Sequence, residues 1–318
     1  MTPLTTNRVA EAAAFLNDRI RRTPVELSPK LSERMGVPVW LKLELLQITG
    51  SFKIRGAWWR LHQASAAERR SGIATCSAGN HGKAVAYAAR EEKIHATIFV
   101  PSSVDQAKYQ GMVALGADVR KSAYSGYDDT ETWAREEAAR LGMPFISAFD
   151  DYDVMAGNGG TLALECFEQL SQAEAFLLPV GGGGLAAGFA FMADGKRLIG
   201  CQHVLSPALR MSLDCGQAVT KLPAVDTLAG GIEGGIGALT FDVLRGRLHE
   251  VALVSEEEIR QATKWLAAEH QYWVEPTAAV TVAACLSGRV QLTAPALVLI
   301  CGRNASMDTM RKVWDKSC

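Results

Sequence analysis

Short apolar runs and amphipathic stretches alternate along the whole of this chain. The runs at 39–44, 96–101, 117–121, 145–148, 175–180, 197–203, 250–254 and 296–301 have the length and residue types of strands. Helical patterns fill most of the intervals, and a strand–helix alternation of this kind predicts an α/β fold with largely parallel sheets. Some helix ends are legible too. Ser255 followed by Glu258 is a capping box opening a helix over 256–269, and Gly116 closes a helix after Ala114 and Leu115. Further helices are expected from the segment around Lys53 through Ala57 to Leu61, and over 84–91. No internal repeat, low-complexity tract or long linker interrupts the pattern.

At 318 residues the length suits about two domains, and 48% hydrophobic residues suffice for a substantial core. The formal net charge is −1 and no basic stripe stands out, which argues against a nucleic-acid partner. Seven cysteines, at 76, 166, 201, 215, 285, 301 and 318, are scattered, odd in number and without metal-ligand pairing. That usage suits a reducing, cytoplasmic setting better than a disulfide framework. The chain opens on no charged-then-apolar leader, and no run approaches the roughly 18 apolar residues of a membrane span. A soluble protein with no membrane partner is expected.

Candidate chemistry is concentrated where small residues precede a helix. Lys53 follows Thr49, Gly50, Ser51 and Phe52 at such a place. A lone lysine at a helix start is ordinarily solvated. An amine nucleophile toward an aldehyde needs desolvation or a positive field to release its proton, and a first helical turn supplies that field. Gly181, Gly182, Gly183 and Gly184 follow an apolar strand and lead into a helix of small residues beginning around Leu185. Four consecutive glycines let backbone N–H groups turn inward as an anion nest suited to a phosphate. The segment lacks the Lys-Ser/Thr ending of a nucleotide loop and the spacing of a dinucleotide fingerprint, so a phosphorylated cofactor is the better match. Ser77, Ala78, Gly79, Asn80 and His81 form a third such turn, a helix cap by default, whose amides suit a carboxylate and a phenolic oxygen. The fourth segment is a buried-looking strand running into Cys301, Gly302, Arg303 and Asn304. A cysteine there is by itself an ordinary small core residue.

In this order the four segments resemble the fold type II pyridoxal-phosphate enzymes, in the branch of threonine and serine dehydratases and serine racemase. The resemblance runs from about Arg21 to Asn304. It implies a tryptophan-synthase-β-like fold of two three-layer α/β domains with the cofactor in the cleft. Residues 1–48 and 149–318 would form the large domain, and 49–148 a smaller mobile one. It further implies that Lys53 is the lysine joined to pyridoxal 5'-phosphate, flanked by Phe52. The glycines at 181–184, with Leu185, would hold the phosphate. Asn80 would contact the 3-hydroxyl oxygen and Cys301 would face the pyridine nitrogen. Glu275, before Pro276, matches a Glu-Pro segment near the cofactor in relatives, although a Glu before Pro is also a common helix start. The loop formed by Ser77, Ala78, Asn80 and His81 would receive the substrate carboxylate. The implied reaction is elimination of water from a small β-hydroxy amino acid of threonine, serine, hydroxyaspartate or phenylserine type, giving a 2-oxo acid and ammonia. Rival readings are a β-replacement synthase, a racemase and, in another class, a non-catalytic cofactor carrier. A homodimer is the family's habit.

Two departures refine the expectation. Serine racemases usually carry a serine where this chain has Ala78, which cannot move a proton. Cation-binding members place a glutamate at about Gln202, and a neutral amide is a weaker ligand, so no metal is expected. His203 reads as structural. The loop Gly230 to Gly235 reads as lying near the ligand. Arg55 and Arg303 are the cations to watch for a second substrate carboxylate, with Arg303 more simply a solvated loop residue. The chain ends soon after Asn304, which favours a catabolic or specialised dehydratase over a feedback-regulated one.

Overall fold

A computed structural model describes residues 3–315. Nine strands occur among them: β1 (Val25–Leu27), β2 (Val39–Lys42), β3 (Ile73–Cys76), β4 (Ala96–Val100), β5 (Asp118–Lys121), β6 (Ala175–Pro179), β7 (Arg197–His203), β8 (Glu250–Val254) and β9 (Ala296–Leu299). They make a six-stranded sheet in the order β1-β2-β9-β6-β7-β8 and a three-stranded sheet in the order β3-β4-β5. Every pairing is parallel except β1 with β2. The α/β class with mostly parallel sheets is therefore as expected.

Strands β4, β6 and β9 are buried at every residue, because helices cover both faces of the sheets. The largest hydrophobic cluster surrounds the six-stranded sheet, with Leu41, Phe176, Leu177, Ile199 and Val298 at its centre. Separate clusters lie on the three-stranded sheet. One packs Phe99 edge-on against Trp133 at 5.1 Å, and another joins Ile98, Val100 and Met112.

Several expected elements change. The run 145–148 is no strand: Phe145 makes one parallel bridge to Ala74, after which the chain turns. Its role is to cross from the edge of the small sheet toward the glycine loop, which a longer strand would prevent. Another change is at 39–44, where pairing stops at Lys42 and Glu44–Leu46 forms a short 3-10 turn. The capping box at Ser255 and Glu258 is present, and Gly116 has a φ of 90°. The helix expected over 84–91 begins earlier and spans Asn80–Glu92. The six described cysteines are unpaired, and Cys318 lies outside the described residues. No helix among the described residues is long and apolar enough to cross a membrane.

Candidate active site

Lys53 is the first residue of the helix Lys53–His62. Its seat is fixed by backbone. The Phe52 N–H donates to the Cys301 carbonyl at 3.1 Å, and Ser51 bridges Gly302. The half-buried Lys53 amine donates one hydrogen bond, to the Ala148 carbonyl at 2.8 Å. Burial lowers its pKa to about 8, against the smaller opposing pull of Cys301 and Glu275. An amine so placed is still mostly protonated at pH 7 but reaches its neutral, nucleophilic form far more readily than a solvated lysine, as attack on an aldehyde requires.

The glycine loop follows β6 and leads into the helix Gly184–Met192. No side chain caps this helix, and among the described residues the amides of Gly181 to Leu185 donate to no protein group. The loop also has no room for side chains. A Cβ on Gly182 would overlap the Phe149 ring, one on Gly181 would overlap the Gly231 carbonyl, and one on Gly183 would lie 2.8 Å from Thr240 Oγ1. Thr240 Oγ1 donates to the Gly182 carbonyl at 2.7 Å, which leaves the loop's N–H groups as the face that is free. Asp150 Oδ1 in turn accepts from the Thr240 N–H at 3.0 Å. Free amides at a helix N-terminus make an anion seat. Gly231 flanks this loop, and its N–H donates to Thr277 Oγ1 at 3.0 Å.

The third turn leads into the helix Asn80–Glu92, capped by Gly79 without a side-chain bond. Ser77 is buried and its hydroxyl accepts from the Gly79 N–H at 3.2 Å. Asn80 Nδ2 donates to Glu275 Oε1 at 2.6 Å, and Asn80 Oδ1 accepts from Asn304 Nδ2 at 2.6 Å. Lys83 Nζ completes the chain by donating to Asn304 Oδ1 at 3.0 Å. Burial raises the Glu275 pKa, against Asn80 and the nearby lysines 108, 83 and 53. Burial, helped by Lys53, pushes the His81 imidazole well below its usual range, so it is neutral. Both His81 ring nitrogens and the hydroxyls of Thr49 and Ser51 are buried without a hydrogen-bond partner among the described residues. Cys301 is buried, and burial holds its thiol well above its ordinary pKa, so it is protonated.

Lys53, the glycine loop, Asn80, His81, Glu275 and Cys301 are thus drawn together from both sheets. Other candidates go elsewhere. Arg55 lies in the core, its fork on Glu44 at 2.7 and 2.8 Å and a third bond to Glu165 at 2.9 Å, so it does not point into the site. Arg303 is exposed, with its charge near enough to lower the Lys83 pKa after burial has done so. Gln202 is buried, donating to the Val180 carbonyl at 3.3 Å and accepting from the Arg210 N–H at 3.1 Å. His203 is buried too, and its Nδ1 accepts from the Leu205 N–H. Among the described residues no group of three or more His, Cys, Asp or Glu could hold a metal.

Sequence reasoning missed Ala148, Lys83, Asn304 and Thr240 as site residues. Asn304 had a signal, standing just past the Cys-Gly turn. Ala148 had none, since it contributes only a carbonyl.

A phosphorylated aldehyde fits these residues: a readily deprotonated amine for the aldehyde, free amides for the phosphate, and unpartnered buried hydroxyls and an imidazole as further polar groups. Residues 16–302 match the family described as pyridoxal-phosphate dependent enzymes. An L-threonine ammonia-lyase of Geobacter sulfurreducens is 35% identical over 314 residues, covering 97% of this chain and 77% of the relative. Among solved structures, maize serine racemase superposes with a TM-score of 0.90 at 26% identity, over 98% of this chain and 97% of its own. The processed threonine deaminase isoform 2 of Solanum lycopersicum does so with a TM-score of 0.88 at 31% identity, over 98% and 95%. The fold is the tryptophan-synthase-β-like arrangement of fold type II. An amine poised for an aldehyde beside a cradle of free amides now has its explanation, for the chain belongs to the family of pyridoxal-phosphate dependent enzymes.

Proposed function

We propose that this protein is a dehydratase, or ammonia-lyase, that removes water from a small β-hydroxy amino acid of threonine, serine, hydroxyaspartate or phenylserine type. The products are a 2-oxo acid and ammonia. The observation that carries this reading is the Lys53 amine, desolvated and held by a single hydrogen bond between the glycine loop and the Asn80 turn. The ammonia-lyase and deaminase relatives support the reaction type. When bound, pyridoxal phosphate supplies an electron-withdrawing imine and ring that acidify the Cα–H of an amino acid.

The chain's own residues supply the rest. Free amides from Gly181 to Leu185 would bind the phosphate, and Phe52, beside Lys53, would contact the cofactor. The Ser77 N–H is taken by the Phe99 carbonyl and the Gly79 N–H by the Ser77 hydroxyl, so the N–H groups of Ala78, Asn80 and His81 are the ones that would bind the substrate carboxylate. Lys53, once free and neutral, takes the Cα proton. Asn80 is oriented by its bonds to Glu275 and Asn304, which leaves one N–H that would donate to the cofactor's 3-hydroxyl oxygen. The protonated Cys301 thiol would face the pyridine nitrogen and, unlike an aspartate, would not hold it fully protonated, so electron withdrawal would be moderate and suited to elimination. Ala78 offers no proton on the opposite face, which disfavours racemization. Residues 49–148 form the mobile domain that closes over the substrate, with residues up to 48 and from 149 forming the larger one. A cytoplasmic homodimer is the expected form.

The test is release of 2-oxo acid and ammonia from L-serine, L-threonine, the hydroxyaspartate isomers and phenylserine. One of these is expected to react, and Lys53→Ala to lose at least about 10³-fold of that rate. Equal release by the Lys53→Ala protein would show that the amine is not the reactive group.

A further inference from the structure

We propose that Arg55 is a positioning residue for Lys53, and that its ion-paired network with Glu44, Glu165 and Lys42 sets the helical turn from which the Lys53 amine reaches Ala148. The proposal rests on the reading of Lys53 as the reactive amine. Lys53 itself has little to hold it. Its side chain carries four rotatable carbons and one hydrogen bond, so the position of its nitrogen is inherited from the backbone beneath it.

That backbone is tied down on the opposite side. Residues two apart on a helix point about 200° from one another, so Arg55 leaves the helix away from Lys53. Its guanidinium, among the largest fully buried side chains, grips Glu44 with a fork and Glu165 with a third bond. Glu165 also accepts from Lys42 Nζ at 2.5 Å and from the Thr23 N–H at 3.2 Å. Glu44 accepts from the Thr23 hydroxyl at 2.6 Å. Lys42 Nζ spends its other donors on the Thr23 carbonyl at 2.8 Å and Gln169 Oε1 at 2.7 Å. Two cations and two anions balance, so the network carries no net charge. A satisfied buried network of this kind adds little to stability over a well-packed apolar core, and its best-attested use is to fix register.

What it registers here is the site. Lys42 lies in β2, opposite Leu299 of β9, and the Lys42 carbonyl accepts from the Ile300 N–H at 2.9 Å. The Leu45 N–H then donates to the Ile300 carbonyl, and the Phe52 N–H to that of Cys301. The strand end that presents Cys301 and the helix that presents Lys53 are therefore both referred to one charged cluster. Rotating the first helical turn would break the Arg55 fork before it moved the amine far.

Arg55→Lys keeps the charge and loses the fork. In the cofactor-loaded protein, this change is expected to lower kcat by about 100-fold, as a misplacement near 1 Å does, with KM within about threefold. In the cofactor-free protein, acylation of Lys53 by an amine-reactive ester, read by mass spectrometry across pH, reports the seat alone. The wild-type midpoint is expected at about 8, and Arg55→Lys is expected to raise it by about one unit or more as the amine gains water. A second variant guards against a damaged fold. Replacing Lys42, Glu44, Arg55 and Glu165 together by Met removes both charge pairs and leaves no orphan ion. It is expected to fold and still to show the lowered kcat and raised midpoint. If either variant keeps both the wild-type kcat and the wild-type midpoint, the network is scaffolding only and the proposal is overturned. If Lys53→Ala proves as active as the parent, the underlying reading fails and takes the proposal with it, whatever the labelling gives.

Discussion

A carboxylate at Glu275 is costly unless something holds it, and here Asn80 does so at 2.6 Å. The same bond aims Asn80, so one hydrogen bond serves both residues. Gly302 is what lets Glu275 lie there: a Cβ on Gly302 would overlap Glu275 Oε1 and come within 3.1 Å of Ser51 Cβ. Gly302→Ala should then push Glu275 off Asn80, at a cost of about 1–3 kcal/mol in stability. A urea midpoint measures that cost, and absorbance titration should show cofactor affinity falling about tenfold or more. Full affinity in a destabilised variant would mean that Asn80 needs no aiming. Lys53 and Asn80 were legible in the sequence because each stands at a small-residue turn that opens a helix. The partners of Asn80 were not, because Glu275 is 195 residues away and Asn304 is 224.

Elements are readable where local pattern and burial agree, and they fail where tertiary contacts decide. The strands β4 and β6 to β9 were visible as largely apolar runs and β5 as a short alternating one, but β1 and β3 were not. Strand β1 has three residues, none of them buried, and β3 is a four-residue run, Ile-Ala-Thr-Cys, buried throughout and so without the alternation that marks a strand. The run 145–148 looked like a strand because it is apolar, yet its residues serve a turn that brings Ala148 to Lys53 and Phe149 to the glycine loop. The glycine loop is the element on which sequence and geometry agree best. Gly183 adopts a φ of 90°, in the left-handed region, with Thr240 Oγ1 close to where a Cβ would sit. Gly183→Ala combines backbone strain with displacement of Thr240, for a cost of about 1–3 kcal/mol. The affinity for inorganic phosphate and for pyridoxal phosphate should both fall, read by calorimetry, whereas pyridoxal without its phosphate should be little affected. An equal loss for pyridoxal would place the damage outside the anion seat.

At the scale of the whole molecule, the site exists only because the two sheets meet at it, and that meeting costs stability. Lys53 is desolvated at the junction, with a folded-state pKa of about 8 against 10.5 for an ordinary lysine. Below pH 8 the amine is protonated in both folded and unfolded chains, so the folded state bears the full cost of a desolvated ammonium. Between 8 and 10.5 the folded chain has released this proton while the unfolded chain still holds it. Stability then rises with pH as far as this group is concerned, because the unfolded state binds more protons. Above 10.5 the cost is gone. Lys53→Met, which fills the same space without a charge, is therefore expected to stabilise the cofactor-free protein at pH 7 and to lose most of that advantage by pH 10.5. Urea midpoints of the two proteins at both pH values measure the difference, and comparing proteins at one pH cancels the titration of every other group. An advantage that stays constant, or grows, with pH would mean that the amine is solvated in the folded chain. A shrinking advantage would locate at Lys53 a stability cost incurred to keep a readily deprotonated amine where the chemistry needs one.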